Sequence, residues 1–302
     1  VKSRDVIAYV LLSLIWGFSF LALLKAVQAF GWIGAVTLRA LMAGTILLVV
    51  GAVTRRRFDF SVGWRPFAVV GATTVAAQLV GMSFATPRIG TAMAAILVGT
   101  IPLFSMVISQ LWGIEHVTAA GRVGLVLGFG GIVLLVGFPT VPISGAFVLG
   151  CGGSLIGSIS AAFGSNYVRR RLRAVGSWEV TAGSFLFGGL LTLPLLFVVP
   201  IPTTPRPVDY GYLVLLGSVM SALAYVLYFR LVADLGATKA ISVEFVVTVV
   251  AVLVGSFVLG ERLSVVQVVG AVVIVTGCAL VLGLVPTRRL PPASVADPAP
   301  QP

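Results

Sequence analysis

Charge is scarce in this sequence. Of 302 residues, 20 are Lys or Arg and 9 are Asp or Glu, 10% in all, where a soluble domain carries about 25%. That scarcity excludes a soluble enzyme and a disordered chain. Histidine occurs once, as His116, so a haem or histidine-rich metal site has no ligand set and no cofactor is expected. The two cysteines, Cys151 and Cys278, lie in apolar runs and read as small hydrophobes, not as a disulfide framework. No Gly-x-x-x-x-Gly-Lys-Ser/Thr loop occurs, which removes nucleotide hydrolysis as a driving force. The few acids are scattered, so an integral membrane enzyme has no clustered acid–base or metal chemistry. Neither a ring of like charge nor a filter-like loop marks a channel.

What is present is apolar: 59% of residues, with a mean hydropathy of +1.12. The apolar residues come in blocks and do not alternate, which does not suit a porin-type barrel. A membrane span needs roughly 20 residues. Ten runs qualify: Val6–Val27, Trp32–Val53, Pro66–Thr86, Gly90–Trp112, Ala119–Phe138, Ser144–Tyr167, Trp178–Val199, Tyr210–Val232, Ala237–Gly260 and Ser264–Val285. The expected fold class is an all-α integral membrane protein of ten transmembrane helices. The first run follows Lys2 and Arg4 but is longer than a signal-peptide core and lacks a small-x-small cleavage site, so it reads as a retained helix. The proline-rich segment 286–302 reads as a disordered tail.

The net charge of +11 reports topology. With the N-terminus inside, fifteen basic residues fall on the cytoplasmic side: Lys2, Arg4, Arg55, Arg56, Arg57, Arg65, Arg122, Arg169, Arg170, Arg171, Arg173, Arg230, Lys239, Arg288 and Arg289. Five, Lys25, Arg39, Arg88, Arg206 and Arg262, fall opposite. Both termini are therefore expected in the cytoplasm, with the protein in the inner membrane. The partners expected are the lipid bilayer and a small-molecule substrate. Nucleic acid is not expected, and monomer and homodimer both stay open.

A shift of 146 residues aligns Gly90 with Gly236, Ala94 with Ala240, Glu115 with Glu261, Thr118 with Ser264, Gly124 with Gly270, Gly131 with Gly277 and Gly137 with Gly283. Residues 1–138 and 139–285 thus read as two five-helix repeats. Five is odd, so the second repeat enters from the opposite face, an inverted repeat that places a site near the midplane. Glu115 and Glu261 stand in short turns just before helix starts at Thr118 and Ser264, and read as structural turn residues. Ser264 and Gln267 have capping-box spacing.

These residues resemble the drug/metabolite transporter superfamily, specifically an EamA-type ten-helix member. Trp16-Gly17 is similar to that family's Trp-Gly, and Thr37-Leu38-Arg39 to its second-helix arginine. Gly260-Glu261-Arg262-Leu263-Ser264 with Gln267 and Gly270 is similar to its C-terminal Gly-Glu motif. Pro102 precedes Glu115 as the family's fourth-helix proline does. Two features depart: Glu115 follows Gly113-Ile114, and Thr248 stands where many members have proline, with Glu244 displaced from the usual glutamate. The resemblance implies transport, often export, of small metabolites.

Two ionisable residues sit clearly inside spans, Arg39 and Glu244. Such groups are costly there and are functional candidates. Each lies roughly 9 Å deep at 1.5 Å per residue, from opposite faces, so no direct ion pair is expected without a kink. Arg39 has outward snorkelling as its alternative, and Glu244 a structural hydrogen bond at the membrane edge. Helical stripes add Trp16 and Phe20, Gln78 after Thr74, Asn166 beside Ser165, and Tyr225 with Tyr228 after Ser221. The candidate substrate-binding set is Trp16, Phe20, Arg39, Gln78, Asn166, Tyr225, Tyr228 and Glu244, with Glu244 also the candidate proton carrier. Pro102 is read as a kink in the fourth helix. Aromatic and amide groups with one acid suit exported amino acids or related metabolites, with cationic drug efflux as the alternative.

Overall fold

A computed structural model describes residues 2–136, 144–202, 204–259 and 264–284, without the side chains of 20, 21, 90–93, 95, 251, 252 and 254–259. Glu261, the Phe20 side chain and the 286–302 tail lie outside what is described. No strand occurs among the described residues. Seven stretches are long and apolar enough to cross a membrane, and Ile96–Leu111 is a shorter apolar helix.

Helix α1 spans Ser3–Val53 and contains a single non-helical residue, Gly31, at φ 71° and ψ 169°. Only glycine adopts such a conformation readily. The interhelical loop expected around 28–31 is therefore one residue, and the second half of α1 returns beside the first. Helix α2 (Arg65–Val70) runs through a π-helical turn (Gly71–Ala77) into α3 (Gln78–Val98). α4 (Ile101–Leu111) follows. Pro102 starts α4 at its first turn, where the missing N–H costs nothing. It does not kink a continuous helix, and the proline inside a helix here is Pro87 of α3.

α5 (Ala119–Val136), α6 (Gly145–Arg171) and α7 (Ser177–Thr192) come next. α8 (Pro207–Gly217) passes through a second π-helical turn (Ser218–Leu223) into α9 (Ala224–Leu235). α10 (Ala237–Ile241) and α11 (Val243–Leu259) occupy the expected ninth span, broken at Ser242. α12 (Val265–Leu282) opens with the Ser264–Gln267 capping box, both hydrogen bonds present, at 3.2 and 2.9 Å.

Glycines set the helix pairs. A Cβ on Gly81 would lie 2.5 Å from the Gly153 carbonyl, and one on Gly150 would strike Ile89 at 2.6 Å. These helices approach backbone to backbone because small residues let them, the usual adhesive inside a bilayer. Gly81 also faces Gly157, while the Leu97 carbonyl accepts from Ser158 at 3.0 Å. A straight helix carries residues 16 apart through about 24 Å, so α3 reverses direction along α6 between Ile89 and Leu97. α5 and α12 cross in the same intimate way. Gly124 lies against Gly277 and Gly131 against Gly270, an antiparallel register, with Cβ distances of 2.5 and 2.9 Å to the opposing carbonyls.

The ends of the bundle differ. At one end Arg4 and Arg230 both approach Asp234, at 3.9 and 3.6 Å, and Arg56 approaches Glu179 at 3.9 Å. Arg169 donates to the carbonyls of Val232 and Ala233. These four arginines all come from the larger basic set. At the other end Arg206 pairs with Asp209, three residues along its own helix, at 3.3 Å.

Candidate functional site

The site forms where α1, the second π-helical turn, α9 and α11 meet. In α1 Trp16 follows Tyr9 and Ser13 on one stripe, and all three are buried. Trp16 meets Tyr225 and Tyr228 with ring centroids 5.2 and 5.4 Å apart, and those two tyrosines are 5.9 Å from each other. Phe185 of α7 stands edge-on to Tyr225 at 4.7 Å. Such offset and edge-to-face contacts suit the aromatic quadrupole. The rings fill the space between the helices: Trp16 is 9% exposed and Tyr228 1%. Admitting a ligand requires them to part.

The second π-helical turn brings polar groups to this cluster. The Trp16 indole donates to the Met220 carbonyl at 3.3 Å, and the Arg39 Nε to Ser221 Oγ at 3.0 Å. Met220 and Ser221 both lie in the widened turn, a feature that recurs at functional sites. Arg39 is 7% exposed, so it turns into the bundle and does not snorkel outward.

Glu244 stands in the first turn of α11, where a helix N-terminus favours negative charge. It is 9% exposed. Its carboxylate has no hydrogen-bond or ion-pair partner among the described residues, so the structural hydrogen bond considered for it is not made. Tyr9, Tyr225 and Tyr228 all lie within its electrostatic reach, and Tyr225 is also within reach of Arg39. Arg39 and Glu244 form no ion pair, as their depths led one to expect.

Five of the sequence candidates thus come together: Trp16, Arg39, Tyr225, Tyr228 and Glu244. Asn166 points elsewhere. Its amide donates to the Ser105 carbonyl and Oγ at 3.2 and 3.0 Å, and to Ala162 O at 2.9 Å, joining α6 to α4. Its neighbour Ser165 is the one that shares a hydrogen bond with the Tyr228 hydroxyl. Gln78 is half-buried, and its backbone is what Gly157 packs against. Its side chain makes no hydrogen bond among the described residues.

Sequence reasoning missed Tyr9 and Ser242, which share a 3.0 Å hydrogen bond that closes the cluster from below. Extending the Ser13–Trp16 stripe back by one turn finds Tyr9. Ser242 was hidden because nothing in the apolar run marks the break between α10 and α11.

Glu115 does not serve the helix that follows it. Thr118 Oγ1 caps that helix, accepting from Gly121 N at 3.1 Å. The Glu115 carboxylate reaches across to accept from the N–H groups of Ala237 and Thr238 at the start of α10. Glu115 thus joins distant parts of the chain and not the turn it stands in.

Comparison with known proteins agrees with this architecture. The chain is 30% identical over 284 residues to YedA of Escherichia coli (strain K12), described as an uncharacterized inner membrane transporter, with 88% of each chain covered. It is 30% identical over 276 residues to the protein PecM of Dickeya dadantii, again with 88% of each covered. A crystal structure 19% identical in sequence superposes with a TM-score of 0.77, over 94% of this chain and 98% of that one, a likeness of fold. The model of the EamA-like transporter family matches residues 4–137 and again 148–283. This multi-pass membrane protein belongs to the EamA-like transporter family.

Proposed function

We propose that the protein is a secondary transporter that exports small metabolites, amino acids or their relatives, by alternating access. Glu244 carries a proton or balances a substrate amine, and Arg39 holds the substrate's anionic end. The observation that carries this is Glu244, a largely buried acid whose carboxylate makes no hydrogen bond or ion pair among the described residues and lies within electrostatic reach of three buried tyrosines. A buried acid without a partner is costly, and a site that binds and releases a cation or proton gives it a use. Once its rings part, a mostly apolar, aromatic cluster with a few fixed polar groups also offers what a small organic ligand needs.

In this reading ten helices form two inverted repeats, 1–138 and 139–285, with both termini cytoplasmic in the inner membrane. Several features support it. The family model matches the chain twice. α5 and α12 have equal lengths and starts 146 residues apart. Their glycines interlock reciprocally, Gly124 with Gly277 and Gly131 with Gly270. The π-helical turns at Gly71–Ala77 and Ser218–Leu223 nearly share that offset. The arginines that tie helices together gather at the basic end, whereas the Arg206–Asp209 pair at the other end is local to one helix. The conformation is accordingly one closed at the cytoplasmic end.

Reconstitution in liposomes tests the assignment. Wild-type protein is expected to move amino acids with a rate that depends on pH, and Glu244→Gln to lose that dependence and most of the rate. Unchanged rate and pH profile in Glu244→Gln would remove Glu244 from the mechanism. Transport of organic cations but not amino acids would favour the drug-efflux reading.

A further inference from the structure

The chain between α1 and α2 builds a second site, away from the aromatic cluster and independent of the transport reading. Residues 54–64 fold back against α1, α2 and α7. Phe58 covers Gly51, where a Cβ would lie 2.2 Å from the ring, and Phe60 stacks on Phe58 and edges onto Phe67. Trp64 tilts against Phe187 at 6.0 Å. Between them opens an apolar groove of about 400 Å³, lined by Leu48, Phe60, Trp64, Phe67, Leu186 and Phe187. Trp64 at its mouth is 62% exposed.

The same loop carries Arg55, Arg56, Arg57 and Arg65. Arg56 is committed to Glu179 and to the Trp178 face, and Arg65 lies 5.9 Å from the Trp64 ring. Arg55 and Arg57 are exposed and have no ion-pair partner among the described residues. The loop's one acid, Asp59, is an anion that accepts from Ser61 N at 2.9 Å, bonds that hold its carboxyl below the usual range; it forms no ion pair with either arginine, and one acid against four arginines leaves the loop basic. Arg55 is also the one non-glycine residue with positive φ, 53°, among the described residues. Glycine is the usual residue at such a helix end, and a charged side chain is kept there at a cost of about 1 kcal/mol.

We propose that this groove binds an anionic phospholipid, with an acyl chain in the cleft and the phosphate between Arg55 and Arg57. An apolar cleft walled in part by Phe60 and Trp64, in the same loop that carries the exposed Arg55 and Arg57, matches both halves of such a lipid. Neither an ordinary lipid-facing surface nor a surface arginine alone has that combination. A zwitterionic lipid fits the cleft but gains nothing from the two free charges.

Tryptophan quenching by acyl-brominated lipids tests this on the full chain in mixed micelles. Brominated phosphatidylglycerol is expected to quench more strongly than brominated phosphatidylcholine, with the excess absent in Trp64→Phe. The preference should fall about fivefold for each arginine removed in Arg55→Gln and Arg57→Gln. Arg171→Gln with Arg173→Gln, an equal loss of exposed charge at the same end, should leave it unchanged. Equal quenching by the two lipids, as when a second copy of the chain fills the groove, overturns the proposal. So does an equal loss in the Arg171/Arg173 control, which would mean only general surface attraction.

Discussion

The carboxylate of Glu115 caps a helix that begins at Ala237, more than a hundred residues away, accepting from Thr238 N at 3.2 Å. One side chain therefore ties the turn after α4 to the break between α9 and α10. Glu115→Ala should cost about 1–2 kcal/mol, the range of a charged helix cap, and lower the melting temperature in detergent. Glu115→Gln, which keeps an acceptor, should cost less. Equal melting of all three proteins would show that the contact contributes nothing.

The α5–α12 crossing depends on the absence of side chains. Gly277→Leu has no room, since even a Cβ would lie 2.6 Å from the Gly124 carbonyl. Overpacking of this kind costs about 1–3 kcal/mol or more. Gly130→Leu on the same helix pair meets nothing within 4 Å and should be tolerated. Thermal stability of the two variants checks the contrast, and similar melting would mean that the helices do not meet as described.

Arg39 holds Ser221 through Nε, an atom that lysine lacks. Arg39→Lys keeps the charge but loses the geometry. A hydrogen bond to a charged group contributes about 1.5–3 kcal/mol, so transport in liposomes should fall roughly tenfold or more. Ser221→Ala should fall less, because the arginine keeps its charge at the site. Full activity of Arg39→Lys would reduce Arg39 to a point charge.

Asp234 joins Arg4 of α1 to Arg230 of α9, at the end that the proposed function takes as closed. Such exposed pairs contribute about 0.2–1 kcal/mol each, so Asp234→Asn should shift the population toward opening by a few-fold. Cys278 is a native reporter: it is 4% exposed and lies beside Ser242. In a Cys151→Ser background, Cys278 should react several times faster with a maleimide when Asp234 is replaced. An unchanged rate counts against closure at this end.

Much of the architecture was legible in advance. The apolar runs marked an all-helical, multi-pass membrane protein because a bilayer demands about 20 apolar residues per crossing. The capping box at Ser264 was visible because its chemistry is local. A break between the first two runs was expected around 28–31, but not that Gly31 alone would make it, since apolar runs do not fix loop length. Trp16, Tyr225, Tyr228, Arg39 and Glu244 were singled out by their type and depth and lie together in the structure, while the Asn166 amide nitrogen is turned to α4. The amide lies one residue past Ser165, so its nitrogen meets α4, while its Oδ1 is buried without a hydrogen-bond partner among the described residues.

The sequence by itself determined that this chain is an all-helical, multi-pass membrane protein and which few residues are costly there. Scarcity of charge does that, because each polar group in hydrocarbon must be explained. Only the tertiary structure decided which faces meet. In lipid an apolar face gains as little from protein as from acyl chains, so hydropathy does not distinguish inside from outside. Close glycine contacts, two π-helical turns and a few buried hydrogen bonds make that choice. They bring Trp16 to Met220, Arg39 to Ser221 and Glu115 to Ala237, and leave Glu244 without a partner.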